Sequence, residues 1–324
     1  MRQVLVVVIC LWSAALIPLG VAAQPMSSPA VSTSNTEYDW RQIAGHFDYL
    51  ASAIGTASVE TLPKKTDDAA ALEDLRIACS EPRVVWARRL ILSDCFDDAS
   101  CASRKASMER LARGLADEVD TRLNDSAPAA QAFLIPGMSL RASVTDTAQS
   151  LSLRSAHDQW FRNWLDPKMM AQENAVTRDE VRIMNRVWCD MLRENAEVAI
   201  RHVTESGFPS DSPDSAQRHL VPALINIAIH AAWSPQLTNP LRAASDQAFQ
   251  QGRLSGYQAA YMVDIDTMAK LSAQRVGFLW ACDGSRAYPS PPLVDELEAA
   301  ELRRQYGLPT LEATQVSRSR QCTS

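Results

Sequence analysis

From Tyr38 to about Tyr306, apolar residues return at intervals of three and four, and the alternation that marks a strand is hard to find. That periodicity constrains the chain most, because a helix with one apolar stripe needs other helices to cover it. Trp40, Ile43, Phe47, Leu50 and Ile54 form the first stripe. A short helix is predicted around 67–79, and Pro82 stands at the first turn of the next, which carries Val85, Trp86 and Leu90. Asp97 or Asp98 caps a long helix through Met108, Leu111, Leu115, Val119 and Leu123. Another runs to Trp164, and the clearest opens at Thr177, which has capping-box form with Glu180, and stops at Gly207. Helical stretches over 212–233, 240–252, 256–276 and 294–306 complete the reading. The prediction is an all-α fold of antiparallel helices, packed as hairpins or as an irregular bundle, with no substantial sheet.

Punctuation suggests the organisation. Residues 24–36 are Ser, Pro, Thr and Ala with little to bury, and read as a flexible tether. Asp166-Pro167 closes an N-terminal helical region, 37–166, and a C-terminal helical region spans 167–312 before a polar tail, 313–324. One continuous core is as open as two halves.

Residues 1–23 supply an address. Arg2 precedes an almost wholly apolar run from Val4 to Leu19, and Val21-Ala22-Ala23 offers small residues for cleavage ahead of Gln24. This is the pattern of a secretory signal peptide; the rival reading, a membrane anchor, is interrupted by Pro18 and Gly20 and lacks stop-transfer charges. The expected location is periplasmic or secreted, and no later run approaches the ~20 apolar residues of a membrane span. Lys and Arg number 32 against 38 Asp and Glu, for a net charge of −6 without a basic block, which argues against a nucleic-acid partner.

Cysteine use fits export. Without Cys10 in the leader, Cys79, Cys95, Cys101, Cys189, Cys282 and Cys322 remain, an even number that favours bridges. Cys95 with Cys101 is the easiest local pair, Cys189 with Cys282 would staple two helices, and Cys322 in the polar tail is expected to stay free. No C-x-x-C and no pair of His at ligand spacing suggests a metal, and no cofactor is expected.

Familiar catalytic signatures are missing: the chain has no G-x-S-x-G, H-E-x-x-H or phosphate-binding glycine loop. Asp264 falls inside the apolar stripe of Tyr261, Met268 and Leu271, and a buried carboxylate must be paired, hydrogen-bonded or protonated. It reads either as a general acid or base or as a structural tie. His219 and His230 share one face of their predicted helix with Asn226 between them, lining a groove or simply facing water. His46 with Asp48, and His157 with Asp158, read as surface pairs. Asp94, Asp97 and Asp98 read as cap and turn residues rather than a calcium cluster.

Between Asn195 and Leu311 the order of features resembles the DUF6624 family of uncharacterised bacterial proteins. The resemblance rests on Gly207-Phe208-Pro209, Ala228-Ile229-His230, Ala260-Tyr261-Met262-Val263-Asp264, and Glu301-Leu302-Arg303-Arg304-Gln305-Tyr306-Gly307-Leu308-Pro309. Ile229 stands where the family usually has Gln and Ile265 where it has Arg, while Phe278-Leu279-Trp280-Ala281-Cys282 replaces a Tyr-Gly-Thr-Gln element. The resemblance implies a helical fold and draws attention to His230 and Asp264; it implies no activity. The resulting expectation is an exported, noncatalytic module that binds an envelope protein or peptide, with His219, Asn226 and Trp280 as candidate contacts. The alternative is an exported hydrolase with His230 and Asp264 as its acid–base pair.

Overall fold

The computed structural model describes residues 37–58, 79–124, 128–171 and 174–322. The leader expected at 1–23, the tether expected at 24–36 and the helix expected around 67–79, Cys79 excepted, lie outside the described residues. Within them the chain is all-α, with eleven helices and two two-stranded sheets. It divides into two compact units, one of Thr36–Leu254 and one whose described residues begin at Ser255.

The larger unit contains β1 (Tyr38–Asp39), α1 (Arg41–Thr56), α2 (Arg83–Leu92), α3 (Asp98–Asn124), α4 (Pro128–Gln131), β2 (Ser143–Val144), α5 (Thr147–Met170), α6 (Ala175–Ser206), α7 (Leu220–His230) and α8 (Pro235–Gln250). The stripe of α1 is buried as its spacing requires, with Ile43, Phe47, Leu50 and Ile54 all 0 % exposed. It packs mainly on α3, and Phe47 meets Phe161 and Trp164 of α5, each with ring centroids 6.0 Å away. Each such side chain contributes about 1.5–3 kcal/mol on leaving water.

α5 and α6 form the centre. Every residue from Ser150 to Asp158 is buried, because α4, α6 and α7 pack around α5. A helix enclosed on all sides carries its polar residues inward, and each then needs a partner. Ion pairs tie the periphery to α6: Arg104 of α3 grips Asp179 through two bonds of 2.5 and 2.7 Å, and Arg83 of α2 reaches Asp190 at 2.6 Å. Cystine Cys79–Cys189 fastens the chain before α2 to α6.

The smaller unit contains α9 (Gly256–Leu271), the hairpin β3 (Trp280–Asp283) and β4 (Arg286–Pro289), α10 (Glu296–Gln305) and α11 (Leu311–Ser319). α9 begins where α10 ends. A Cβ on Gly256 would lie 1.8 Å from the Tyr306 carbonyl oxygen, so only glycine permits that approach. α11 packs on β4 and is held to β3 by Cys282–Cys322.

Several sequence expectations are corrected in detail. The helix through Asp166-Pro167 continues to Met170: near the end of α5 a proline removes one hydrogen bond, and Lys168 still pairs with Glu180 at 2.5 Å. Asn174, not Thr177, caps α6, accepting the Thr177 N–H at 2.9 Å. The helix expected over 212–233 is only Leu220–His230, preceded by turns, and Pro222 occupies its first turn, where no N–H is required. α9 stops at Leu271 because Ser272 turns left-handed at φ 52°. The polar tail is largely α11, capped by Thr310. Asp97 caps α3 as expected, accepting the Ser100 N–H at 2.7 Å.

The cystines correct one pairing and one free thiol. Cys95–Cys101 forms, but Cys189 joins Cys79 and Cys282 joins Cys322. Cys189 and Cys282 belong to different units, and each bonds a cysteine of its own unit. No helix among the described residues is long and apolar enough to cross a membrane.

Candidate functional site

His230 and Asn226 do come together, around a carboxylate that the sequence reading placed on the surface. Asp158 of α5 is 0 % exposed. Its Oδ1 accepts the indole N–H of Trp188 at 2.6 Å, and its Oδ2 accepts from Asn226 Nδ2 at 3.3 Å and His230 Nδ1 at 2.5 Å. Asn226 also donates to Ser155 Oγ at 3.0 Å, and the His230 ring stands edge-on to Trp188. Arg162 Nη1 lies 3.2 Å from His230 Nε2. A guanidinium only donates, so Nε2 accepts and the Nδ1 proton points at Asp158. The carboxylate bonded to His230 is therefore Asp158 rather than Asp264. With Nε2 taken by Arg162, this imidazole is an internal tie among α5, α6 and α7.

One residue along α5, His157 is also 0 % exposed, contrary to the surface reading. Its Nε2 donates to the Leu140 carbonyl at 2.6 Å, so Nδ1 accepts from the Tyr38 hydroxyl at 3.0 Å. Burial pushes the His157 imidazole down to about 4 and the Tyr38 phenol upward. Arg154 covers the Tyr38 ring at 3.9 Å and bonds Asn195. His46, the other expected surface histidine, is 9 % exposed and lies 3.5 Å from Glu194, whereas Asp48 is exposed. His219 is not on the helix: it is the residue before α7, and its buried Nε2 has no hydrogen-bond partner among the described residues.

The smaller unit places Asp264 and Trp280 about one loop. Asp264, 0 % exposed on α9, accepts the backbone N–H groups of Arg275 and Val276 on Oδ1, both at 2.7 Å, and of Phe278 on Oδ2 at 2.8 Å. Burial pushes this carboxyl upward, and the backbone donors of 275–278 oppose that shift. The geometry gives Asp264 the tying role: its lone pairs are spent on folding residues 275–278 back across α9. The loop presents Phe278 between Tyr257 and Tyr261, with ring centroids 4.8 and 5.3 Å away. Trp280 follows, its indole N–H held by the Gly277 carbonyl at 2.9 Å.

Tyr257, Phe278 and Trp280 line a cleft of about 360 Å³ that also involves Leu308, Arg303 and the face of α11 carrying Thr314 and Arg318. Arg303 is 4 % exposed. Its guanidinium donates to the carbonyls of Val276, Gly277 and Pro309 at 3.0, 3.1 and 2.6 Å and to Thr314 Oγ1 at 2.5 Å, joining loop, α10 and α11. Two residues that the sequence reading left unassigned, Tyr257 and Phe278, thus complete an aromatic wall beside Trp280. Chemically, the cleft offers ring faces, an apolar corner and cationic polar edges, the makings of a binding site. No group of three or more His, Cys, Asp or Glu among the described residues is arranged to hold a metal.

Comparison with known proteins places the chain beside none of them: no family model, curated protein or solved structure matches it.

Proposed function

We propose that the chain is an exported, noncatalytic module of the cell envelope that binds a protein partner through an extended peptide segment. The observation that carries this reading is the aromatic cleft of about 360 Å³, walled by Tyr257, Phe278 and Trp280. Aromatic rings fixed beside polar groups give large contact area at low entropic cost, which suits peptide recognition. Tyr257 is 53 % exposed and ready to be covered. Export is supported by the leader pattern and by three cystines, bonds that persist in oxidising compartments.

The test is selection of a displayed random peptide library on the oxidised protein, with Trp280→Ala as the counter-selected control. Enriched peptides that bind the Trp280→Ala protein at least about tenfold more weakly support the reading, a loss in keeping with an aromatic interface anchor. A library that shows no enrichment, or enrichment indifferent to Trp280, overturns it.

A further inference from the structure

The charge of the cleft is opposite to that of the chain. The whole sequence carries −6, yet the residues lining the cleft include two arginines, Arg303 and Arg318, and no Asp or Glu. Neither arginine has a carboxylate within ion-pair distance among the described residues. Arg318 is exposed, and among the described residues its guanidinium bonds the Gln321 side chain, at 3.2 Å. Arg303 is the more telling, since a guanidinium 4 % exposed is ordinarily matched by an anion. Its hydrogen-bond partners here are three carbonyls and one hydroxyl, while the buried Asp264 carboxylate, bonded to the loop backbone, acts on it only through space. Those four bonds use Nε–H, both hydrogens of Nη1 and one of Nη2, so one of the five guanidinium hydrogens, on Nη2, remains.

We propose that the cleft recognises the C-terminal carboxylate of a partner peptide, held between the remaining Arg303 N–H and Arg318, with the adjoining side chain on the Tyr257–Phe278–Trp280 wall. This rests on the binding reading given above and names its ligand chemistry. A ligand carboxylate supplies the direct anionic partner that Asp264, bonded to the loop backbone, does not give Arg303, and guanidinium–carboxylate bonds are among the stronger hydrogen bonds. A chain end suits the site better than a through-running segment, because about 360 Å³ lies near the lower limit for ligand pockets and the spare donor belongs to a nearly buried side chain.

The probes are fluorescent random pentapeptide pools ending in Phe, one with a free C-terminal carboxylate and one amidated, and a third amidated pool ending in Asp. Anisotropy is followed on the oxidised full chain, on Arg318→Gln and on Trp280→Ala. The inference requires the acid pool to bind at least about tenfold more tightly than either amidated pool. Arg318→Gln, an exposed position, is expected to cut that preference to threefold or less. Equal binding of acid and amide pools, both lost in Trp280→Ala, overturns the carboxylate assignment and leaves the peptide-binding reading standing. Preference for the Asp-ending amide transfers recognition to an acidic side chain and overturns it too. If no pool binds, both readings fall together.

Discussion

The carboxylate of Asp264 receives the backbone N–H of Phe278 at 2.8 Å, which couples a fully buried charge on α9 to the central ring of the cleft wall. Replacing Asp264 with Asn keeps the shape and one acceptor but turns an amide NH2 toward a backbone donor. The unmatched pair is expected to cost about 1–3 kcal/mol. Peptide binding should weaken while the circular dichroism of the helices is retained. Tight binding by a folded Asp264→Asn protein would show that the wall does not depend on this bond.

Asp158 is predicted to be the most sensitive polar residue of the larger unit. Asp158→Ala leaves the donors of Trp188, Asn226 and His230 buried together, and is expected to lose about 3–5 kcal/mol in urea unfolding. A double-mutant cycle with His230→Ala should reveal strong coupling between the two positions. Additive losses would mean that the imidazole and the carboxylate stabilise the fold separately.

His157 makes stability fall with acid. Its folded pKa, about 4, lies below the unfolded value of about 6.5, so the unfolded chain takes up the proton first. The contribution is complete above about pH 6.5 and is lost as pH falls toward 4, a change of roughly 3 kcal/mol. His202, also pushed down by burial, acts in the same direction. Urea midpoints across this range should fall less steeply in His157→Gln. An unchanged slope in that variant would assign the acid sensitivity elsewhere.

Cys322 should matter for the cleft although it lies outside it. The Cys282–Cys322 bridge closes a separation of 40 residues and holds α11 against the hairpin. Loop-closure entropy for that separation gives about 4 kcal/mol. Cys322→Ser is expected to lower the unfolding temperature and to weaken peptide binding. Gly256→Ala should destabilise by about 1–3 kcal/mol, since the added Cβ meets backbone at Tyr306. Calorimetry that finds both variants unchanged would contradict the packing described for α9, α10 and α11.

The helices were legible where one face is buried and the other is wet. The stripe of α1 and the stop at Gly207 fall where their spacing and chemistry put them. α5 defeats the same logic because it is covered on every side: His157 and Asp158 read as a surface pair, yet both are buried, as are Ser150, Ser152, Arg154 and Ser155. Enclosure depends on what packs around a helix, and periodicity does not carry that information. His157-Asp158 could have been suspected from Leu151, Leu153, Ala156 and Trp160, which lie around the helix rather than along one side of it. Asp264 was legible as a buried carboxylate. Its partners were not, because they are backbone N–H groups of a loop, which leave no side-chain signal. The pairing of Cys282 with Cys322 followed from α11 being a folded helix where the composition suggested a tail.

Peptide binding by the cleft of the smaller unit can be read residue by residue. Its most direct test is titration of a library-selected peptide into the oxidised, nitrogen-15-labelled full chain, reading the backbone amides and the Trp280 indole. Saturable shifts should cluster at Tyr257, at 277–280 and along 308–321, and Trp280→Ala should weaken binding at least about tenfold. Shifts that cluster within residues 36–254 instead, with affinity unchanged in Trp280→Ala, would contradict the account.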